Sequence, residues 1–124
     1  MKHEHFDCAF AVVTDGVTIW ATTRDGKDTG RIGLPGGKRE EFEDCAISVA
    51  IRESLEEGLI VSGNPAIVHR DTVDGLSIVW VRFDNASSVS CYKEQHRGIK
   101  PVSVSIDTII GSGYGNEWIV KFKS

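Results

Sequence analysis

Pro35-Gly36-Gly37 stands ahead of a helical segment in which Glu53, Glu56 and Glu57 are spaced i, i+3 and i+4. This coupling of a permissive turn to an acidic helix constrains the chain more than any other feature. At 3.6 residues per turn the three carboxylates project over one patch. Like charges so placed repel by about 0.2–0.5 kcal/mol per pair, a cost that a bound divalent cation reverses. Ile47, Ile51 and Leu55 recur at steps of four, so the pattern predicts a helix that buries this apolar stripe and holds its carboxylates out toward a cleft. The glycines supply backbone able to take φ > 0 and to approach a ligand with no Cβ in the way. Singly, each feature is ordinary: an acidic helix face is commonly solvated surface, and Gly-Gly marks a plain turn. Jointly they point to a hard-cation site, because Mg²⁺ takes oxygen ligands and is often shared between carboxylates and substrate phosphates.

Leu34-Pro35-Gly36-Gly37, Glu43 or Asp44, Arg52-Glu53 and Glu56-Glu57 together resemble the MutT/Nudix hydrolase signature, G-x5-E-x7-R-E-U-x-E-E-x-G-U, where U is bulky and apolar. Three departures stand out. Eight residues separate Glu43 from Arg52 where the signature has seven, Gly58 arrives one residue early, and Ser54 occupies a U position. None of them alters the spacing of Arg52, Glu53, Glu56 and Glu57. The resemblance implies an α/β fold of the Nudix type, an α/β/α sandwich with a mixed central β-sheet. It implies divalent-metal-dependent hydrolysis of a diphosphate bond in a nucleoside diphosphate linked to another moiety, water attacking phosphorus, with Mg²⁺ as cofactor and Mn²⁺ as its substitute. Glu56 and Glu57 would then be metal ligands, assisted by the Gly37 carbonyl, and Glu53 a ligand or the general base. Some members draw that base from a downstream loop, for which Glu94 is the candidate here. Arg52 would orient a carboxylate, Glu56 or the first acidic residue, by charge-assisted hydrogen bonds. A nucleotide-binding or sensing module of the same fold, without catalysis, is the alternative. The resemblance is also compatible with a homodimer.

The rest of the chain bounds these expectations. Its 124 residues suit one domain spanning 1–124 with a real core. No apolar run approaches the ~20 residues of a membrane span and no leader pattern is visible, so the expectation is a cytoplasmic protein with no membrane partner. Cys8, Cys45 and Cys91 are odd in number and lack C-x-x-C, which argues against a disulfide framework or a zinc site. The net charge of −4 excludes the basic surface of a dedicated duplex nucleic-acid binder. A nucleotide is the expected partner. Arg24 and Arg31 flank a polar glycine-containing loop, and they and Lys38 are candidates to meet its phosphates.

Cys8 to Thr14 reads as a buried strand that turns at Asp15-Gly16 into Val17–Thr22, a predicted hairpin. Ile60-Val61, Ile67–Thr72 and Leu76–Phe83 read as strands, the last with Ile78, Trp80 and Arg82 on one side and Val79, Val81 and Phe83 on the other. Asn85-Ala86-Ser87 reads as a polar turn, and Gly111-Ser112-Gly113-Tyr114-Gly115 as a loop lacking dinucleotide-motif spacing. Val102–Ile106 alternates apolar and polar, and Asn116–Phe122 closes the sequence as helix or strand. Trp20, Trp80, Tyr92, Tyr114 and Trp118 are candidate stacking residues, most of them expected in the core.

Overall fold

The computed structural model describes residues 5–24, 31–90, 92–93 and 98–124, with the Arg24 side chain outside that set. The strands are β1 (Cys8–Val12), β2 (Thr18–Arg24), β3 (Ile32–Gly33), β4 (Gly36–Lys38), β5 (Leu59–Ser62), β6 (Ala66–Val73), β7 (Leu76–Arg82), β8 (Asn85–Ser88) and β9 (Ile99–Ser105). Helix α1 spans Ala46–Glu56, α2 spans Ile106–Ile110, and a 3₁₀ segment covers Glu117–Phe122. A four-stranded mixed sheet runs in the order β4-β1-β7-β6, with β1 and β7 parallel and both outer pairings antiparallel. Strands β3-β2-β9 form a second, antiparallel sheet, and β5 pairs with β8.

The two-residue periodicity of β1 and β7 sorts their side chains onto two cores. Ala9, Ala11, Val13, Val79, Val81 and Phe83 face the core that holds Val49 and Ala50 of α1. Cys8, Val12, Ile78 and Trp80 face the other, with Ile106 and Ile109 of α2 and Ile119 of the 3₁₀ segment. The division of Leu76–Phe83 expected from its alternation is therefore present. A mixed central sheet covered on both faces is the α/β/α sandwich.

The hairpin expectation needs correcting. Its turn forms: the Asp15 carboxylate accepts hydrogen bonds from the Val17 and Thr18 backbone N–H groups at 2.9 and 2.7 Å, and Trp20 N–H donates to the Val13 carbonyl. Beyond that point the strands part, because both edges of β1 are taken by β4 and β7 while β2 pairs with β3 and β9. Asn85-Ala86-Ser87 is likewise strand β8 and not a turn, since pairing with β5 satisfies its backbone. Asp74 and Gly75, both at positive φ, close the tight β6–β7 turn as expected. Strand β9 stops at Ser105, whose hydroxyl accepts from the Asp107 N–H and caps the short helix α2.

Helix α1 is turned about its axis relative to the sequence expectation. Ile51 and Leu55 are 41% and 49% exposed, and the residues it buries are Ala46, Val49, Ala50 and Ser54. Small side chains on this face let the helix lie close to Ala9 and Ala11 of β1. Ser54 is fully buried and its hydroxyl has no hydrogen-bond partner among the described residues. An unsatisfied buried hydroxyl costs about 1–3 kcal/mol, so Ser54→Ala is expected to raise the thermal midpoint by a few degrees. A midpoint lowered by calorimetry would show that the hydroxyl makes a stabilising contact.

Candidate active site

The buried stripe of α1 runs from Val49 and Ala50 through Ser54 to Glu57, so the face that enters the core at the start of the helix carries carboxylates over the glycine turn at its end. Glu57 is only 6% exposed. Its Oε1 accepts a hydrogen bond of 2.8 Å from the Gly36 N–H. Gly36 itself, at φ 150°, lies so near β1 that a Cβ would stand 2.3 Å from the Ala9 carbonyl oxygen. At Gly37 a Cβ would stand 2.7 Å from the Glu53 carboxylate. The absence of a side chain at each glycine thus makes room for different things, the central strand at one and an acid at the other.

Arg52 organises the acidic groups. Its Nε and Nη2 donate to the two oxygens of Glu43, at 2.9 and 2.5 Å, in a bidentate fork. Its Nη1 reaches Glu53 Oε1 and Glu56 Oε2, both at 3.2 Å, and its Nη2 also donates to the Lys38 carbonyl. Glu43, rather than Asp44, therefore partners Arg52, and the extra residue before the helix is absorbed between Glu43 and Ala46. The Glu43 N–H donates to the Glu40 carbonyl while the Glu43 side chain accepts from the Glu40 N–H. The early Gly58 takes φ 94°, with the Tyr92 ring where a Cβ would be, and follows directly on Glu57, the C-cap of the helix.

The Arg52 guanidinium holds the Glu43 carboxyl below the usual carboxylate range, and the same pairing raises the Arg52 pKa. A carboxyl whose folded-state pKa is depressed contributes stability that is complete above its unfolded value, about 4.3, and is lost as pH falls through the folded value. Glu43→Gln is expected to cost about 1–3 kcal/mol at pH 7 and to flatten the loss of stability below about pH 4.5. Denaturant titrations at stepped pH check this, and an unchanged acid limb would rule the pair out as its source.

A cleft of about 420 Å³ is lined by Glu57, Gly36, Gly37 and Lys38 together with Phe10, Leu34, Ile78, Arg31, Tyr114 and Asn116; of the charged side chains just described, Glu57 lines it and Glu43, Arg52, Glu53 and Glu56 do not. Of the candidate phosphate contacts, Lys38 and Arg31 line it, whereas the Arg24 side chain and Glu94 lie outside the described residues. Asn116 went unnoticed in the sequence. It is buried, accepts from Trp80 Nε1 and donates to the Ser112 hydroxyl, both at 3.3 Å. The signal available was a lone amide following a glycine-rich loop, too common to single out. Cys8 also lines the cleft, and burial pushes its thiol pKa up.

The donor set suits a hard cation in kind: three carboxylates beside a backbone cradle free of side chains. Among the described residues, however, no three His, Cys, Asp or Glu groups converge as ligands of one ion. Both Glu56 oxygens are engaged, one by Arg52 and the other by Lys93 at 3.2 Å, so gathering the carboxylates around an ion requires Glu56 to turn away from these cations. Among the described residues no helix is long and apolar enough to cross a membrane.

No family model matches the chain, and no curated protein matches it in sequence. Solved structures do match. MutT from Aliivibrio salmonicida and Vibrio cholerae, treated together in one study, is represented by a structure 21% identical over 95% of each chain at a TM-score of 0.66. A MutT Nudix hydrolase from Burkholderia pseudomallei is 20% identical over 98% of this chain and 100% of its own, at 0.65. The MutT protein of Bacillus halodurans is 18% identical over 94% and 80%, also at 0.65. With its mixed sheet, its flanking helices and these likenesses along nearly its whole length, the chain has the fold of the MutT Nudix hydrolases.

Proposed function

We propose that the chain is a divalent-metal-dependent nucleotide pyrophosphohydrolase, with residues 1–124 acting as one domain in the cytoplasm. The observation that carries this reading is a cleft lined both by polar groups, Glu57, Lys38, Arg31 and the glycine turn, and by apolar ones, Phe10, Leu34 and Ile78. A diphosphate linked to a nucleoside has the same two-part character, densely anionic at one end and planar and apolar at the other.

Glu53, Glu56 and Glu57, with the Gly37 carbonyl, would hold Mg²⁺. When bound, the ion supplies charge neutralisation on the diphosphate oxygens and a more acidic water. Arg52 fixes Glu53 and Glu56 relative to one another through Nη1, and Glu43 fixes Arg52. Glu53, whose carboxylate lies beside Gly37, would complete the ligand set or take the proton of the attacking water at a carboxylate oxygen. Lys38 and Arg31 supply positive charge along the cleft for phosphate oxygens. Asn116 presents a buried amide that can both donate and accept in the cleft.

Product release from nucleoside triphosphates, nucleotide sugars, ADP-ribose and dinucleoside polyphosphates, with Mg²⁺ or Mn²⁺ and with chelator, tests the proposal. Metal-dependent cleavage of one class is expected. The engagement of Glu56 by Arg52 and Lys93 favours a second reading, a nucleotide-binding module without turnover. That reading predicts thermal stabilisation by nucleotide with no product formed.

A further inference from the structure

We propose that Tyr114, in contact with Arg31, is the stacking platform for the planar heterocycle of the ligand. This rests on the nucleotide reading of the cleft and assigns the residue that selects for an aromatic group at its mouth. Among the aromatic side chains, Trp80 is fully buried and Trp20 packs against the α1 core. Trp118 has His69 stacked on it at 4.5 Å and Lys121 over its face, and Phe122 lies under both Arg82 and Lys121. Phe10 leans on Trp80 in the cleft floor. Tyr114 differs from all of these, lining the cleft while 53% exposed and packed in neither core.

Its backbone makes the position more telling. Gly113, Tyr114 and Gly115 have φ of 84°, 57° and 75°, so the one residue of the three that bears a side chain sits where glycine would be at ease. The loop is anchored at its far end, since a Cβ on Gly115 would stand 2.7 Å from Val73 of β6. Turn geometry alone would favour a third glycine at 114, and core packing does not ask for a tyrosine there. The Arg31 guanidinium lies 4.8 Å from the ring centroid, a contact that steadies the ring, and both residues line the cleft while Tyr114 stays 53% exposed. An exposed aromatic face steadied by a cation suits a nucleobase, which stacks through its own π-face whatever its edge pattern.

The test is an NMR-followed titration, with chelator present so that no turnover is needed, using AMP, GMP, UMP and CMP and with ribose 5-phosphate as the ligand lacking a base. The wild-type protein is expected to bind at least one nucleoside monophosphate about tenfold more tightly than ribose 5-phosphate. Tyr114→Phe should keep that preference. Tyr114→Gly should abolish it while keeping or raising the thermal midpoint, because glycine relieves the left-handed backbone. A Tyr114→Gly protein that still discriminates overturns the assignment, and so does a wild-type protein that binds ribose 5-phosphate equally well. If discrimination holds but no substrate is cleaved with metal, the platform stands and the pyrophosphohydrolase reading falls.

Discussion

Glu57→Gln is expected to lower metal-dependent turnover about 10²–10³-fold, the scale on which loss of one preorganised electrostatic group acts. The variant should still fold. Its amide oxygen can accept from the Gly36 N–H as Glu57 Oε1 does at 2.8 Å, so the thermal midpoint should stay within about 5 °C of wild type. Glu57→Ala gives a contrasting outcome. It leaves the Gly36 N–H without this acceptor inside a buried site, at about 1–3 kcal/mol, and it opens space beneath the helix. The two variants together separate ligand chemistry from scaffolding, because both lose the carboxylate and only one loses the hydrogen bond. Steady-state rates at saturating Mg²⁺ and melting curves on the same preparations decide the matter. Wild-type rates in Glu57→Gln would remove Glu57 from the reaction altogether.

Gly36→Ala should have the largest effect on stability, and its neighbour should behave differently. An added Cβ at residue 36 would stand 2.3 Å from the Ala9 carbonyl oxygen and 2.6 Å from Phe10 Cα. These are backbone atoms of β1, in the middle of the sheet, and cannot move without disturbing the pairing of β1 with β7. The φ of 150° adds strain for a residue with a Cβ. A cost of about 3 kcal/mol or more follows, or a midpoint lower by roughly 10–20 °C. At Gly37 the obstructing group is the Glu53 carboxylate, 2.7 Å away, the far end of a flexible side chain that can swing aside. Gly37→Ala should therefore melt near wild type yet lose about 10–100-fold in activity, as for displaced groups that orient a metal site. If Gly36→Ala unfolds at the wild-type temperature, the close approach of the turn to β1 is not a structural requirement.

Much of this site was legible in the sequence because it depends on local spacing. Residues at i, i+1, i+4 and i+5 of one helix fall near each other whatever the rest of the chain does, so Arg52, Glu53, Glu56 and Glu57 form a group from their order alone. Glycines before the helix are equally local, and so are the alternation of Leu76–Phe83 and the turn at Asp74-Gly75. These features rest on two periods and a steric rule, which need no knowledge of distant residues.

What faces what was decided only by the tertiary structure. Helix α1 has two sides that could be buried, and isoleucine and leucine made the stripe of Ile47, Ile51 and Leu55 the stronger hydrophobic signal. The small residues Ala46, Val49 and Ala50 allow closer approach to the alanines of β1, and that contact leaves Ile51 and Leu55 exposed. The consequence for the site is direct, for this rotation carries Glu57 inward onto Gly36. The choice between Glu43 and Asp44 as partner of Arg52 also lay beyond one-dimensional spacing, because the turn before the helix can absorb a residue in several ways. So did the separation of β1 from β2, decided by which strands compete for their edges, and the meeting of Arg31, Tyr114 and Asn116 in one cleft. Sequence by itself determined the chemistry that one helix can offer. Packing between distant segments determined which way that chemistry points and what it shares a cleft with, since close packing is a property of surfaces that meet only in the folded chain.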